Sequence, residues 1–184
     1  MGSVRTLDPE NLGDHLDRLF RAAWAMCGRR EDAEDLVQDT YARVLARPRL
    51  LRRDDDLGYL LQVLRNTHIT RLRASARRPV SAPWPEDLEP ADLRASWDPQ
   101  AALDVSALFA AISELPGDFR DTLVAVDVAG LSYGEAGRAL GVPEATITTR
   151  LHRARRRVAD MLSAQDVAPA AAPSSAPGRK DPGR

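Results

Sequence analysis

LSYGEAGRALGVPEATITTRLHRARRR, residues 131–157, holds a helix, a short turn and a second helix that ends in a run of arginines. Ser132 followed three residues later by Glu135 is a capping box, in which hydroxyl and carboxylate each satisfy an amide left over at a helix start. The first helix therefore begins at Ser132, with Tyr133, Ala136 and Leu140 at helical spacing to pack inward. Gly141 can supply the left-handed residue that stops it, and Pro143 suits the first position of the next helix. There Ile147, Leu151, Ala154 and Val158 fall at i, i+4, i+7 and i+11, turning one stripe to a core. Ala145, Thr148, Thr149, His152 and Arg156 then face outward. This is a helix-turn-helix whose second helix fits a major groove. Thr148, Thr149 and His152 are placed to meet base edges, and Arg150, Arg153 and Arg157 to hold the backbone, with Arg156 on the outward face. An ordinary two-helix corner with a solvated basic face is the plainer alternative. The cap, the glycine, Pro143 and six arginines against three acids from Ala129 to Ser163 argue against it.

The rest of the chain agrees with an all-α protein. Its 184 residues can hold one or two small domains, and aromatics at 5% with abundant Ala, Leu and Arg favour helices over sheets. Cys27 stands alone, so no internal disulfide can form and a reducing compartment is expected. No stretch approaches a membrane-spanning length and no signal-peptide layout opens the chain, which predicts a soluble, cytoplasmic protein without membrane insertion. Lysine occurs once, at Lys180, among 26 basic side chains. GC-rich coding accounts for most of that bias, although an arginine fork also grips phosphate well.

A formal net charge of -1 conceals alternation along the sequence. Residues 65–78 carry five arginines and no acid, whereas residues 79–104 carry six acids against Arg94. Two basic units are thus separated by an acidic strap. With five prolines and few apolar pairs, PVSAPWPEDLEPADLRASWDPQAALD cannot bury enough to fold alone and reads as a flexible linker. Fully extended it reaches up to roughly 85 Å, against roughly 34–36 Å for one duplex turn. The tail at 164–184, rich in Ala, Pro, Ser and Gly, reads as disordered.

The N-terminal unit, residues 12–78, reads as three or four helices. His15, Leu16, Leu19, Phe20, Ala23 and Trp24 form one buried stripe, and Ala33, Leu36, Val37, Tyr41, Val44 and Leu45 a second. A third helix buries Leu57, Leu60, Leu61, Leu64, His68 and Leu72 and exposes Arg65, Asn66, Thr70, Arg73 and Arg77. Asp32, Asp35 and Asp39 share a face, as oxygen ligands of a hard cation would. No histidine or second acidic helix joins them, so no metal and no cofactor is expected. A solvated face, or better a docking face for a basic partner, fits them more simply.

Three blocks carry a resemblance: DAEDLVQDTYARVLAR, GYLLQVLRNTHITRLRASARR and LPGDFRDTLVAVDVAGLSYGEAGRALGVPEATITTRLHRARRR, in that order. Together they resemble the two domains of bacterial RNA polymerase sigma factors of the extracytoplasmic-function group, over residues 12–162. The resemblance implies an N-terminal region 2-like bundle (12–78), the acidic linker (79–104) and a region 4-like helix-turn-helix domain (105–163). It implies that Asp35, Gln38 and Asp39 dock on basic coiled-coil helices of the core polymerase. Arg65, Asn66, Thr70 and Arg73 would then contact the minus-10 element, with Asn66 at a base flipped from the stack. Thr148, Thr149, Arg150, His152, Arg153 and Arg156 would contact the minus-35 element. Such a chain is not an enzyme; its partners are core RNA polymerase, promoter DNA and an anti-sigma factor. Two departures from the family pattern stand out. Thr148 replaces a frequent Lys or Arg, and Ala136–Gly137 replaces a bulkier aliphatic and an alanine, the glycine weakening its helix by about 1 kcal/mol. A free-standing dimeric repressor would need no Asp35 and Asn66 unit, and a nuclease built on Asp32, Asp35 and Asp39 would cleave DNA with divalent cations alone.

Overall fold

The structure, a computed structural model, describes residues 5–6, 9–46, 50–51, 55–76 and 99–167. The described residues are almost all helical, as the composition and periodicity predict. A 3-10 turn (Pro9–His15) leads into α1 (Leu16–Cys27), followed by α2 (Arg30–Ala46) and α3 (Asp56–Ser75). The C-terminal half holds α4 (Pro99–Ser113), α5 (Gly117–Leu123), a π-helical turn (Val124–Val128), α6 (Tyr133–Leu140) and α7 (Glu144–Val167). One small departure from all-helix is a pair of two-residue strands, Arg5–Thr6 antiparallel to Leu50–Leu51.

In the N-terminal unit, α1 packs on α2 and α3 through Leu19, Ala22, Ala23, Leu36, Leu60 and Leu64, all fully buried. Asp55 starts α3 by accepting the Gly58 amide at 3.0 Å on its side chain, the bond an N-cap residue is chosen for. Tyr41, half-buried, donates its hydroxyl to the Leu12 carbonyl at 3.0 Å and ties α2 to the leading 3-10 turn. Each stripe is one residue too generous at an end: Leu16, Leu45 and Leu72 are exposed (46%, 51% and 48%) because neighbouring helices do not extend over them.

The helix-turn-helix forms as its sequence dictates. Ser132 accepts the Glu135 amide at 3.3 Å while the Glu135 carboxylate accepts the Ser132 amide at 2.8 Å. Gly141 is left-handed (φ 70°), and Ile147, Leu151, Ala154 and Val158 are buried on one stripe of α7. Pro143 sits one position earlier than expected: its carbonyl accepts the amides of Thr146 and Ile147, which makes it the cap, and α7 begins at Glu144.

The strap is shorter than patterning predicts, since residues 99–104 are already part of α4. Residues 79–98 and Arg77 lie outside the described residues, as does the tail beyond Val167; α7 itself takes up the first four tail positions. The two units are in direct contact. α1 packs against α4 and the π-helical turn, α3 against α6, and Trp24 meets the edge of Phe109 with ring centroids 5.1 Å apart.

Gly137 turns out to be a requirement of the turn rather than a weak point of α6. A Cβ there would lie 2.8 Å from the Val142 carbonyl oxygen, and the Val142 amide is bonded to the Gly137 carbonyl at 2.9 Å. Backbone meets backbone, so neither side can yield cheaply. Gly137→Ala should therefore lose about 1–3 kcal/mol of unfolding free energy by overpacking, against the gain of about 1 kcal/mol that helix propensity alone would give. Urea unfolding decides the sign, and a more stable alanine variant would contradict this geometry.

Candidate nucleic-acid interface

α7 presents its outward face as the spacing predicts. Thr148, Thr149, His152, Arg153 and Arg156 are all exposed. The Thr148 and Thr149 hydroxyls donate to the Glu144 and Ala145 carbonyls at 3.2 and 3.1 Å, leaving their oxygens free to accept. Between α5 and α7 a shallow groove is lined by Asp118, Phe119, Thr149, Arg150 and Arg153. The arginine run is divided by its partners. Arg150 pairs with Asp118 at 2.7 Å, Arg157 lies over the Phe119 ring at 4.7 Å, and Arg155 forms a two-pronged pair with Asp127 at 2.7 and 2.8 Å. Arg153 and Arg156 remain as outward-directed cations beside the two threonines and His152.

On α3, Asn66, Thr70 and Arg73 are exposed along one side, with the Thr70 hydroxyl bonded back to the Asn66 carbonyl at 2.8 Å. Arg65 departs from the expected open face. Only 29% of its side chain is exposed, and its guanidinium is bonded to Asp121 of α5, in the other unit. Helical periodicity put Arg65 outside because, on α3 alone, it is; the surface it meets is supplied 56 residues later in the chain.

On α2, Asp35 and Gln38 are exposed and Asp39 is half-buried. Arg71 of α3 reaches across to Asp39 at 2.6 Å and donates to the Asp35 carbonyl at 2.9 Å, fixing the acidic face to α3. Sequence reasoning missed Arg71, whose only cue is its place between the buried and exposed stripes of α3. It missed Arg18 and Arg138 because both reach partners in the opposite unit. Among the described residues no group of three or more His, Cys, Asp or Glu is arranged to hold a metal ion. Nor does any helix among them have the length and apolarity to cross a membrane.

Cys27 and His68 meet under this surface, Sγ to Nδ1 3.7 Å. Burial, reinforced by the charge of Asp32, pushes the Cys27 thiol up to about 11, so it stays protonated and unreactive at neutral pH. Burial foremost, and then the nearby Arg120, pushes the His68 imidazole below its ordinary 6.5. Its Nε2 has no hydrogen-bond partner.

Residues 12–78 match the family model for sigma-70 region 2, and residues 106–158 the model for sigma-70 region 4. The chain is 34% identical over 166 residues to the ECF RNA polymerase sigma factor SigE of Mycolicibacterium smegmatis, covering 84% of this chain and 61% of that relative. It thus spans less than two thirds of that protein's length. It is 30% identical over 157 residues to the ECF RNA polymerase sigma factor EcfG of Rhodopseudomonas palustris, covering 80% of this chain and 82% of the relative. Among solved structures it superposes on the sigma factor RpoE of Bartonella quintana, which was crystallised with the anti-sigma factor NepR. The TM-score is 0.63 at 25% identity, over 84% of this chain and 95% of that one.

The depressed His68 value carries a pH prediction. The unfolded chain takes up the proton more readily than the folded one, so stability is complete above 6.5 and is lost as the pH falls through the lower folded value. Thermal melts of His68→Gln should show a shallower loss of Tm on acidification below 6.5 than the parent chain; parallel curves would show that His68 does not titrate with unfolding.

Proposed function

The chain belongs to the extracytoplasmic-function group of RNA polymerase sigma factors, and from that premise we propose that it directs core polymerase to a set of promoters by contacting both elements. The observation that carries this reading is the pairing on one chain of an exposed α7 reading face with an exposed Asn66 above an acidic α2. A simple repressor has use only for the first.

The division of labour follows from chemistry. α7 lies in the major groove at the minus-35 element. There Thr148, Thr149 and His152 meet base edges, while Arg150, Arg153 and Arg156 neutralise phosphates and make binding fall with salt. Because Thr148 is uncharged, less of the affinity is non-specific and more of it depends on sequence. At the minus-10 element Asn66 receives a base turned out of the stack, which costs a few kcal/mol in lost stacking and pairing. Arg65, Thr70 and Arg73 offset that cost along the strand, the arginines by charge and Thr70 by its hydroxyl. Strand exchange of this kind requires no nucleotide hydrolysis and no bond-making residue, so the chain acts in the cytoplasm without catalysis of its own. Asp35, Gln38 and Asp39 supply the docking face for the basic helices of the polymerase, and the RpoE–NepR likeness favours control by an anti-sigma factor.

Two substitutions test separate parts of this reading. Asp35→Arg reverses charge on an exposed residue and should abolish co-purification with core polymerase while leaving helicity unchanged; undiminished co-purification would remove α2 from the docking surface. Asn66→Ala should impair strand opening, read by permanganate, by roughly tenfold or more, the equivalent of about 1.4 kcal/mol. Closed-complex formation should change little, and an equal loss in both assays would contradict the base-capture role.

A further inference from the structure

Taking α2 as the docking face for polymerase, as above, we propose that Arg71 is a positioning residue for initiation. Its guanidinium holds the docking turn of α2 in shape and joins it to the strand-opening face of α3. Asp39 then serves docking through Arg71 rather than by contact with the polymerase.

Asp35, Gln38 and Asp39 occupy a single turn of α2, and one guanidinium grips both ends of that turn. Arg71 donates from Nε and Nη2 to the Asp39 Oδ2 at 3.0 and 2.6 Å, and Nη2 donates also to the Asp35 carbonyl at 2.9 Å. Leu36 and Leu64, fully buried, belong to the apolar core beneath α2 and α3. Apolar burial is non-directional and lets one helix slide on another. Hydrogen bonds of defined geometry fix which turn of α2 lies beside which turn of α3. On α3 that turn carries Thr70 and Arg73, with Asn66 further back along the same helix.

Charge alone gives Arg71 the wrong sign for this surface. Basic helices are drawn to the carboxylates of α2 and repelled by a guanidinium among them. Nor is the pair placed to stabilise the fold: with 36% and 49% of the two side chains exposed, it is an open surface pair of small worth. What it supplies is order. A face whose side chains are already held loses less freedom when its partner arrives. Asp39 is held by two donors on one oxygen, whereas Asp35 is gripped through its main chain and keeps its side chain exposed beside the exposed Gln38. These two are therefore left to touch the polymerase. The join to α3 matters because polymerase binds α2 while DNA opens on α3. A docked α2 free to slip would leave Asn66 out of place for an unstacked base, and such sites work only when held to a fraction of an ångström.

The test titrates purified core polymerase into the full chain labelled at its amino terminus and reads anisotropy. Arg71→Ala should bind roughly fivefold more weakly, the order expected for immobilising freed side chains anew, although loss of a cation facing basic helices would by charge alone tighten binding. Arg71→Lys keeps the charge and lacks the fork, so it should be weakened too, and it carries the test if the alanine variant does not fold. Exchanging the pair, Asp39→Arg with Arg71→Asp, should recover most of the affinity that Asp39→Arg loses by itself. With polymerase saturated, Arg71→Ala should still open less DNA, read by permanganate on a fragment carrying a start site mapped by run-off transcription. Unchanged or tighter binding by folded Arg71→Ala or Arg71→Lys would overturn the positioning role. An exchange no better than Asp39→Arg alone would put Asp39 in contact with polymerase, and full opening at saturation would sever the link to α3. A parent chain unable to bind core polymerase would sink the sigma-factor reading and the role of Arg71 with it. If the parent binds, Asp35→Arg does not and Arg71→Ala matches the parent, the role of Arg71 alone falls.

Discussion

One buried carboxylate, Asp121, meets a cation from each unit where they join. Arg65 comes from α3 and Arg120 from α5 itself, and the neutral His68 lies against the same seam. Placing two guanidiniums against one acid out of water is tolerable only because each retains a second outlet: Arg65 is partly solvated, and Arg120 reaches the Ser113 carbonyl at 3.5 Å. The closed arrangement of the units depends on this balance, and so does the distribution of charge left for DNA.

That distribution is selective. Of the arginines expected to face DNA, Arg150 and Arg157 are braced by Asp118 and Phe119, and Arg65 is held across the seam. Arg73, Arg153 and Arg156 stay exposed. Asp118 is 62% exposed, so its pairing with Arg150 lies open to solvent and fixes the guanidinium at small cost. Asp121, only 5% exposed, instead engages the Arg65 Nε across the seam.

Much of this was legible in the sequence, for reasons local to each element. The capping box, the left-handed Gly141 and the α7 stripe depend on residues within a few positions of each other, and all formed as read. Asn66 and the Asp35–Gln38 face were also found exposed where periodicity put them. What was hidden depends on distant chain. Arg18 bonds 111 and 112 residues away, and Arg65 bonds 56 away. Periodicity assigns a face but not the length of its neighbour, hence the exposed Leu16, Leu45 and Leu72. Propensity condemned Gly137 because it counts only the helix, whereas the Val142 carbonyl that excludes a Cβ belongs to the turn after it.

Promoter selection itself is measured most directly by run-off transcription with purified core polymerase on genomic fragments, followed by mapping of start sites. The account predicts starts preceded by a shared pair of elements separated by more than one duplex turn, and transcription that depends on added protein. Starts identical to those of core polymerase alone would contradict it.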